Sequence, residues 1–203
     1  MFWKRANEKE SEAELRPDGR LRLPPGQSLT EKWPVLHYGG IPRIDLTTWE
    51  FRMYGLVEKE VTLNWDEFMA LPQTTITSDV HCVTRWSKYA NTWTGVHIRN
   101  ILALVRPLPE ARYVMERSYG GYTTNIALDE LMDDGVILAH SHNGAPLARD
   151  HGWPVRLVVP KLYFWKSAKW LRAFEFMAHD RPGFWEQYGY HNHGDPWKEE
   201  RFG

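Results

Sequence analysis

Hydrophobic and polar positions along this chain recur mostly with the period of β-strands, interrupted by short stretches with the period of a helix. The run from Thr48 through Val57 predicts a strand, closed by the charged turn Glu58-Lys59-Glu60. Asn64-Trp65-Asp66-Glu67 opens a helix, because Asn64 can accept from the Glu67 amide while the Glu67 carboxylate returns the bond; Pro72 ends it. TTITSDVHCV is rich in β-branched residues and predicts a strand that leaves Cys82 at or just beyond its end. VHIRNILALV has helical spacing, with Val96, Ile98, Ile101, Leu102 and Val105 forming an apolar face, and stops at Pro107 and Pro109. RYVMERSY predicts a strand, LDELMDDG a short acidic helix ending at Gly135 without a strong capping residue, and VILAHS a strand. Beyond the turn-rich HNGAP and ARDHGWP, the most apolar stretch of the chain, PVRLVVP, predicts another strand, and a last one runs from Trp170 to Met177.

Residues 1–24 carry no periodicity and are expected to form a flexible arm, leaving one domain over 25–203. That domain starts with an irregular, ordered Pro/Gly/aromatic loop and ends in a tail, RPGFWEQYGYHNHGDPWKEERFG, too aromatic for a free linker and expected to wrap the domain. The chain has no internal repeat. The expected class is α+β, with mixed sheets and short helices inserted among the strands.

Composition narrows the function. The 203 residues hold 25 basic and 26 acidic side chains, a balance that lacks the clustered positive charge of a nucleic-acid binder. No window approaches 18 consecutive apolar residues, so the chain is expected not to span a membrane. The polar opening segment lacks a secretory h-region, and the expected compartment is the cytoplasm. With one cysteine, an intrachain disulfide and a cysteine-rich metal cluster are both excluded. The aromatic load is high: 11 Trp, 9 Tyr and 8 Phe.

A lone cysteine usually packs as a small buried hydrophobe. Cys82, however, sits at a strand end near His81, Arg85 and Lys88, where positive charge would favour the thiolate needed by a nucleophile or a metal ligand. Two chemistries follow. As the nucleophile of a hydrolase or transferase, Cys82 would need a histidine from elsewhere, such as His140, His142 or His151, since His81 would face the other way along a strand. As a ligand to a soft or high-valent metal it would need an organic cofactor to complete the shell, because no second protein ligand lies close in sequence. The His140/His142 and His191/His193 pairs read as local structure rather than metal sites. Arg156, in an otherwise apolar strand, needs a partner to offset its burial.

Several ordered segments, HCVTRWS, TWTGV, LDELMDDGVILAHSHNGAPL, HGWPVRLVVPKLYFWKSAKWL and FWEQYGYHNHGDPW, resemble the oxidoreductase molybdopterin-binding family, which includes sulfite oxidase catalytic domains and bacterial methionine-sulfoxide-reductase relatives. The resemblance runs from about Val35 to the end. It implies a sulfite oxidase catalytic-domain-like fold and a molybdenum–molybdopterin cofactor, in the pterin form without a nucleotide, with Cys82 as the protein's ligand to the metal. It further implies cofactor contacts from His37, from His151 and Arg156, from Lys166, Ser167 and Lys169 as a phosphate-binding loop, and from Thr123, Thr124 and Asn125 in a loop that approaches the metal. Arg85 is offered as a substrate-facing catalytic residue, although it is one position away from the basic residue of sulfite oxidases. The implied activity is oxygen-atom transfer to or from a small oxyanion, sulfoxide or N-oxide, with electrons exchanged through a separate haem or flavin protein. No haem segment, long C-terminal dimerisation domain or twin-arginine leader is visible in the sequence. A non-enzymatic cofactor carrier is the remaining alternative.

Overall fold

A computed structural model describes residues 14–15 and 19–203. The expected arm over 1–24 therefore falls partly outside the described residues, at 1–13 and 16–18. Within its described part, Arg22 donates to both carboxylate oxygens of Asp79, at 2.7 and 2.9 Å, and its guanidinium lies 3.9 Å from the Tyr89 ring centre.

The strands are β1 (Ser28–Leu29), β2 (Glu50–Gly55), β3 (Val61–Asn64), β4 (Gln73–His81), β5 (Trp86–His97), β6 (Tyr113–Ser118), β7 (Thr123–Ala127), β8 (Ile137–His142), β9 (Ala145–Pro146), β10 (Arg156–Val158) and β11 (Leu171–Met177). Four short helices interrupt them: α1 (Trp65–Ala70), α2 (Ile98–Val105), α3 (Leu128–Leu131) and α4 (Phe184–Gln187). This is the mixed α+β class expected from the pattern. The Asn64 capping box forms as expected, with bonds of 2.9 and 2.8 Å. α2 buries Ile98, Ile101, Leu102 and Val105, whereas Val96, expected on the same helical face, belongs to β5; the helix stops two residues before Pro107 because Arg106 turns left-handed (φ 47°). α3 begins without a side-chain cap, as its sequence implied.

Two sheets result. In the six-stranded sheet, β5 is the spine: β4 pairs along one edge, while β1 and β8 share the other, and β10 and β9 extend from β8. The five-stranded sheet has the order β3-β2-β11-β6-β7, with β11 parallel to β2 and antiparallel to β6. Residues from both sheets and α2 meet in one core, among them Phe51, Met53, Val96, Leu138, Leu157, Phe174 and Phe176. The opposite side chains of β5, β8 and β10 (Trp93, Ile137, Ala139, Val158) build a second, smaller cluster with Trp33, Trp86 and Phe164. The six-stranded sheet is thus buried on both faces, and the tryptophan-rich face carries the site described below.

Most of β5 escapes its sequence pattern because its alternation breaks at Lys88-Tyr89-Ala90-Asn91, where Ala90 adopts φ 52° and the pairing with β4 shifts register. Thr123, Thr124 and Asn125, expected in a loop, instead belong to β7. Among the described residues, no helix is long and apolar enough to cross a membrane.

At Gly95 the backbones of β5 and β8 leave no room for a side chain. A Cβ there would lie 2.0 Å from the Leu138 carbonyl oxygen and 2.7 Å from Ala139 Cα, both backbone atoms that cannot move aside. Gly95→Ala should therefore cost about 3 kcal/mol or more in a urea unfolding titration. Gly40→Ala, where a Cβ meets nothing within 4 Å, should stay within about 0.5 kcal/mol of the parent.

Candidate active site

Cys82 follows directly on β4 and opens the turn Cys82-Val83-Thr84-Arg85 that leads into β5. The turn closes through the Arg85 amide donating to the Cys82 carbonyl (3.0 Å) and the Cys82 amide donating to the Trp86 carbonyl (2.8 Å). Arg85 completes it with φ 70°, a left-handed conformation uncommon for a residue with a Cβ. Gln27 Nε2 donates to the Cys82 carbonyl at 3.1 Å, and Gln27 Oε1 accepts from Ser87, whose hydroxyl lies 2.8 Å from His81 Nδ1. His81 therefore points away from the sulfur, as strand alternation requires.

The sulfur is buried. Burial pushes the Cys82 thiol up, with a hydrogen bond to Thr84 Oγ1 (3.1 Å) and the charges of Arg201 and Lys169 opposing it only in part. The free side chain is a protonated thiol at neutral pH. It stands at the wall of a cavity of about 340 Å³, the space between the tryptophan-rich face of the sheet, the loop through Trp33–Tyr38 and the C-terminal tail. Trp33, Tyr38, Trp86, Trp165, Trp185 and Tyr190 supply much of its apolar lining.

Positive charge is concentrated on one side. Arg156, the first residue of β10, is 1% exposed, and its guanidinium donates only to carbonyls: His151 O (3.0 Å), Ser167 O (2.9 Å) and Leu157 O (3.3 Å). Its centre lies 4.1 Å from the Phe164 ring centre. Lys169 Nζ likewise donates to a carbonyl, Asp150 O, at 2.6 Å. Among the described residues neither cation has a carboxylate within ion-pair distance. Burial brings Arg156 down to about 9, still charged at neutral pH, and burial with the neighbouring guanidinium brings Lys169 to about 7. Glu116, fully buried on β6, accepts from the Ala168 amide at 3.0 Å, and burial pushes its carboxyl well above the usual range, towards the neutral form. The cavity thus holds uncompensated positive charge beside a soft sulfur atom.

Of the residues singled out from sequence, His37, Cys82, Arg156, Ser167 and Lys169 come together around this cavity. His37 is exposed at its mouth, with Nδ1 2.9 Å from Gly39 O. His151 stands behind the lining: its ring stacks on Trp33 (centroids 3.7 Å apart), its Nδ1 is buried without a partner among the described residues, and burial lowers it to about 4. Lys166 is not brought to the lining. Its ammonium is tied to Glu186 (2.7 Å), Asn125 O and Oδ1 (2.8 and 3.1 Å) and Asn192 O (2.7 Å), in a buried network that also engages Thr124 through Glu186. Thr123, Thr124 and Asn125 lie outside the lining, and so does the exposed Arg85. Trp86, Trp165 and Trp170, which lie in the motif segments of the sequence, line the cavity, and Trp86 has a buried Nε1–H without a partner among the described residues. Sequence reasoning missed Tyr122 and Tyr190 in the lining, and Gln27 and Arg201, which hold the Cys82 turn. Nothing local in the sequence distinguishes these residues from packing positions.

Of the three histidines that could have served the thiol, His140 bonds Ser141 (2.8 Å) and His142 bonds Asn91 (3.0 Å), while His151 is stacked on Trp33. In the tail, His193 bridges Glu130 and Glu200 at 3.0 and 2.7 Å. Among the described residues, no group of three or more His, Cys, Asp or Glu side chains could hold a metal ion.

Comparison with known proteins is consistent with this geometry. Residues 38–185 match the family described as oxidoreductase molybdopterin binding domain. The chain is 45% identical over 182 residues to the uncharacterized oxidoreductase YuiH of Bacillus subtilis, covering 89% of this chain and 92% of that protein. It is 33% identical over 171 residues to the NADPH nitrate reductase of Emericella nidulans, but spans only 20% of that larger protein. In structure it resembles the sulfane dehydrogenase SoxCD of Paracoccus pantotrophus, with a TM-score of 0.64 at 23% identity, over 70% of this chain and 41% of that one.

Because Lys169 gains its proton as the pH falls through about 7, the cavity should hold anions more tightly in mild acid. Sulfate, whose charge is constant across the range, should bind the metal-free protein roughly tenfold more tightly at pH 6 than at pH 8 by isothermal titration calorimetry. Lys169→Met should flatten that dependence; an unchanged slope would show that Lys169 does not face the anion.

Proposed function

Since the chain belongs to the oxidoreductase molybdopterin-binding domain family, we propose that its cavity holds a molybdenum–pterin group and that it catalyses oxygen-atom transfer to or from a small substrate. The observation that carries this reading is the pairing of the Cys82 sulfur with two cations, the buried Arg156 and the half-buried Lys169, that have no carboxylate partners among the described residues.

The donor set fits such a group. A thiolate suits a soft or high-valent metal, the two cations suit an anionic phosphate, and the orphaned Trp86 Nε1–H suits a polar atom of a ring. When bound, the group supplies a metal that moves between two oxidation states two electrons apart, which is what transfer of one oxygen atom requires.

The remaining work falls to the chain. Cys82 would release its proton on binding the metal, since burial keeps the free thiol protonated. Arg156 and Lys169 would hold the phosphate, with the Arg156 fork fixed in place by three carbonyls before anything binds. Ser167 helps set that fork: its carbonyl accepts from Arg156, and its hydroxyl accepts from the Val159 amide at 2.9 Å. His37 is free to contact the cofactor or substrate from the mouth. Lys166, Thr124 and Asn125 act from behind, tying β7 to the tail that carries Trp185 and Tyr190. The aromatic walls keep water from the metal.

The pterin is expected in the form without a nucleotide, as the family resemblance implies. Electrons would be exchanged with a separate haem or flavin protein. The name of the nitrate reductase relative supports a small oxyanion as one substrate class, beside sulfoxides and N-oxides. The cysteine-hydrolase alternative finds no support in the geometry: the sulfur is a buried thiol, and none of the candidate histidines bonds it.

Freshly purified protein should contain about one molybdenum and one pterin per chain by elemental analysis and by fluorescence of the oxidised pterin. Cys82→Ser should lower the bound molybdenum at least tenfold while leaving the melting temperature within a few degrees, because a hydroxyl is a hard, weakly acidic ligand. Full molybdenum retention in that variant would remove Cys82 from the metal.

A further inference from the structure

The turn that carries Cys82 is held from outside as much as from within. Its Cys82 carbonyl accepts from Gln27, its Arg85 carbonyl from the Ser28 amide (2.9 Å), and its Val83 carbonyl from Arg201 Nη1 (2.8 Å). The first two holders lie in one segment, at the start of β1. The third comes from the far end of the chain, 118 residues away from Val83.

Arg201 is 5% exposed, and its second nitrogen, Nη2, reaches Pro25 O at 3.4 Å, so one planar fork spans the Cys82 turn and the segment that flanks it. The guanidinium lies 4.9 Å from the Tyr163 ring centre, and the carboxylate of Glu199 is 3.8 Å from it. Gly26, with φ +65°, makes room for the junction: a Cβ there would come 2.7 Å from Glu199 Oε1, 3.1 Å from Arg85 Nη1 and 3.4 Å from Arg201 Nη2. Anchoring the tail does not require this side chain. The tail is already held by Trp197 Nε1 donating to Leu21 O (2.6 Å), by His193 between Glu130 and Glu200, and by the Tyr163 amide donating to Gly194 O (2.8 Å). What the guanidinium adds is a hold on the carbonyl next to the sulfur-bearing residue.

We propose that Arg201 is a positioning residue for Cys82, clamping the Val83 carbonyl so that the sulfur is presented to the cavity in one orientation. This rests on the reading of Cys82 as the ligand of the metal. A lysine would have to hold the carbonyls from a single nitrogen on a flexible stem, without the preorganised planar fork.

Hydrogen exchange on the protein as purified tests the clamp at the Cys82 and Arg85 amides, the two donors that close the turn. In Arg201→Gln both should exchange at least about tenfold faster, as expected for losing a charge-assisted bond to a buried carbonyl, while amides of β5 and β11 keep their rates. Arg201→Lys should recover only part of the protection. Arg201→Met, which keeps the apolar stem of the side chain but removes its donors, should loosen the same two amides and serves if Arg201→Gln does not fold. In protein loaded with metal, the sulfur-to-metal absorption band should shift in the same variants. Turn amides within twofold of the parent in these variants would overturn the clamp, and so would an equal acceleration throughout β5 and β11. A parent protein that binds no molybdenum, yet shows the selective loosening, would defeat the metal reading and leave the clamp on the turn standing.

Discussion

Two cations, the buried Arg156 and the half-buried Lys169, have to be kept in this protein without a carboxylate among the described residues to neutralise them. Burying a guanidinium is expensive, and the structure offsets the cost at Arg156 with three backbone carbonyls and an aromatic face rather than with a counter-charge. Those carbonyls come from His151, Leu157 and Ser167, which places demands on three separate stretches of chain. The three-residue strand β10, the turn before it and the loop after it are therefore shaped around one side chain. Gly152 belongs to the same arrangement: it adopts φ 111°, and a Cβ there would press at 3.1 Å on both Arg156 Cβ and Lys169 Cβ.

The other buried cation in this region shows what ordinary structural pairing looks like. Lys166, 1% exposed, meets Glu186 and three oxygens of Asn125 and Asn192, so its charge is answered within the protein. Lys166 and Lys169 stand three residues apart in one loop and read alike in sequence. Their different surroundings separate a cross-brace from a charge held open for a ligand. The brace matters to the site all the same, because it fastens the tail whose Trp185 and Tyr190 close the cavity.

How much of this was legible in the sequence depended on how local the cause was. The Asn64 cap, the apolar face of α2 and the position of Cys82 just past β4 are settled by residues within a few positions of one another, and each was readable. β5 was not, since its alternation is broken by a bulge whose geometry depends on pairing with β4. β7 was not either: Thr123-Thr124-Asn125 becomes a strand because β6 pairs with it, a contact no short window contains. Within the site, residue type and neighbours marked Cys82 and Arg156, whereas Gln27 and Arg201 have no local signal at all. Their importance arises only when 55 and 118 residues of intervening chain bring them against the Cys82 turn.

The aromatic tail fits the same logic. An expectation that it wraps the domain came from composition alone, but wrapping is the lesser part of its effect. The ring of Trp165, set between Tyr163 and Tyr190 at 5.3 and 5.1 Å, and the stacking of Trp185 on Tyr190 at 5.0 Å extend the packed face of the sheet outward into a wall of the cavity. Gly194 keeps that wall tight, because a Cβ at its position would strike Trp165 at 2.9 Å. A cavity built this way is enclosed by segments from both ends of the chain, and its sulfur sits on a turn held by both. The site therefore depends on contacts between segments far apart in sequence, and the surroundings of the thiol are shaped by the tail as much as by its own turn.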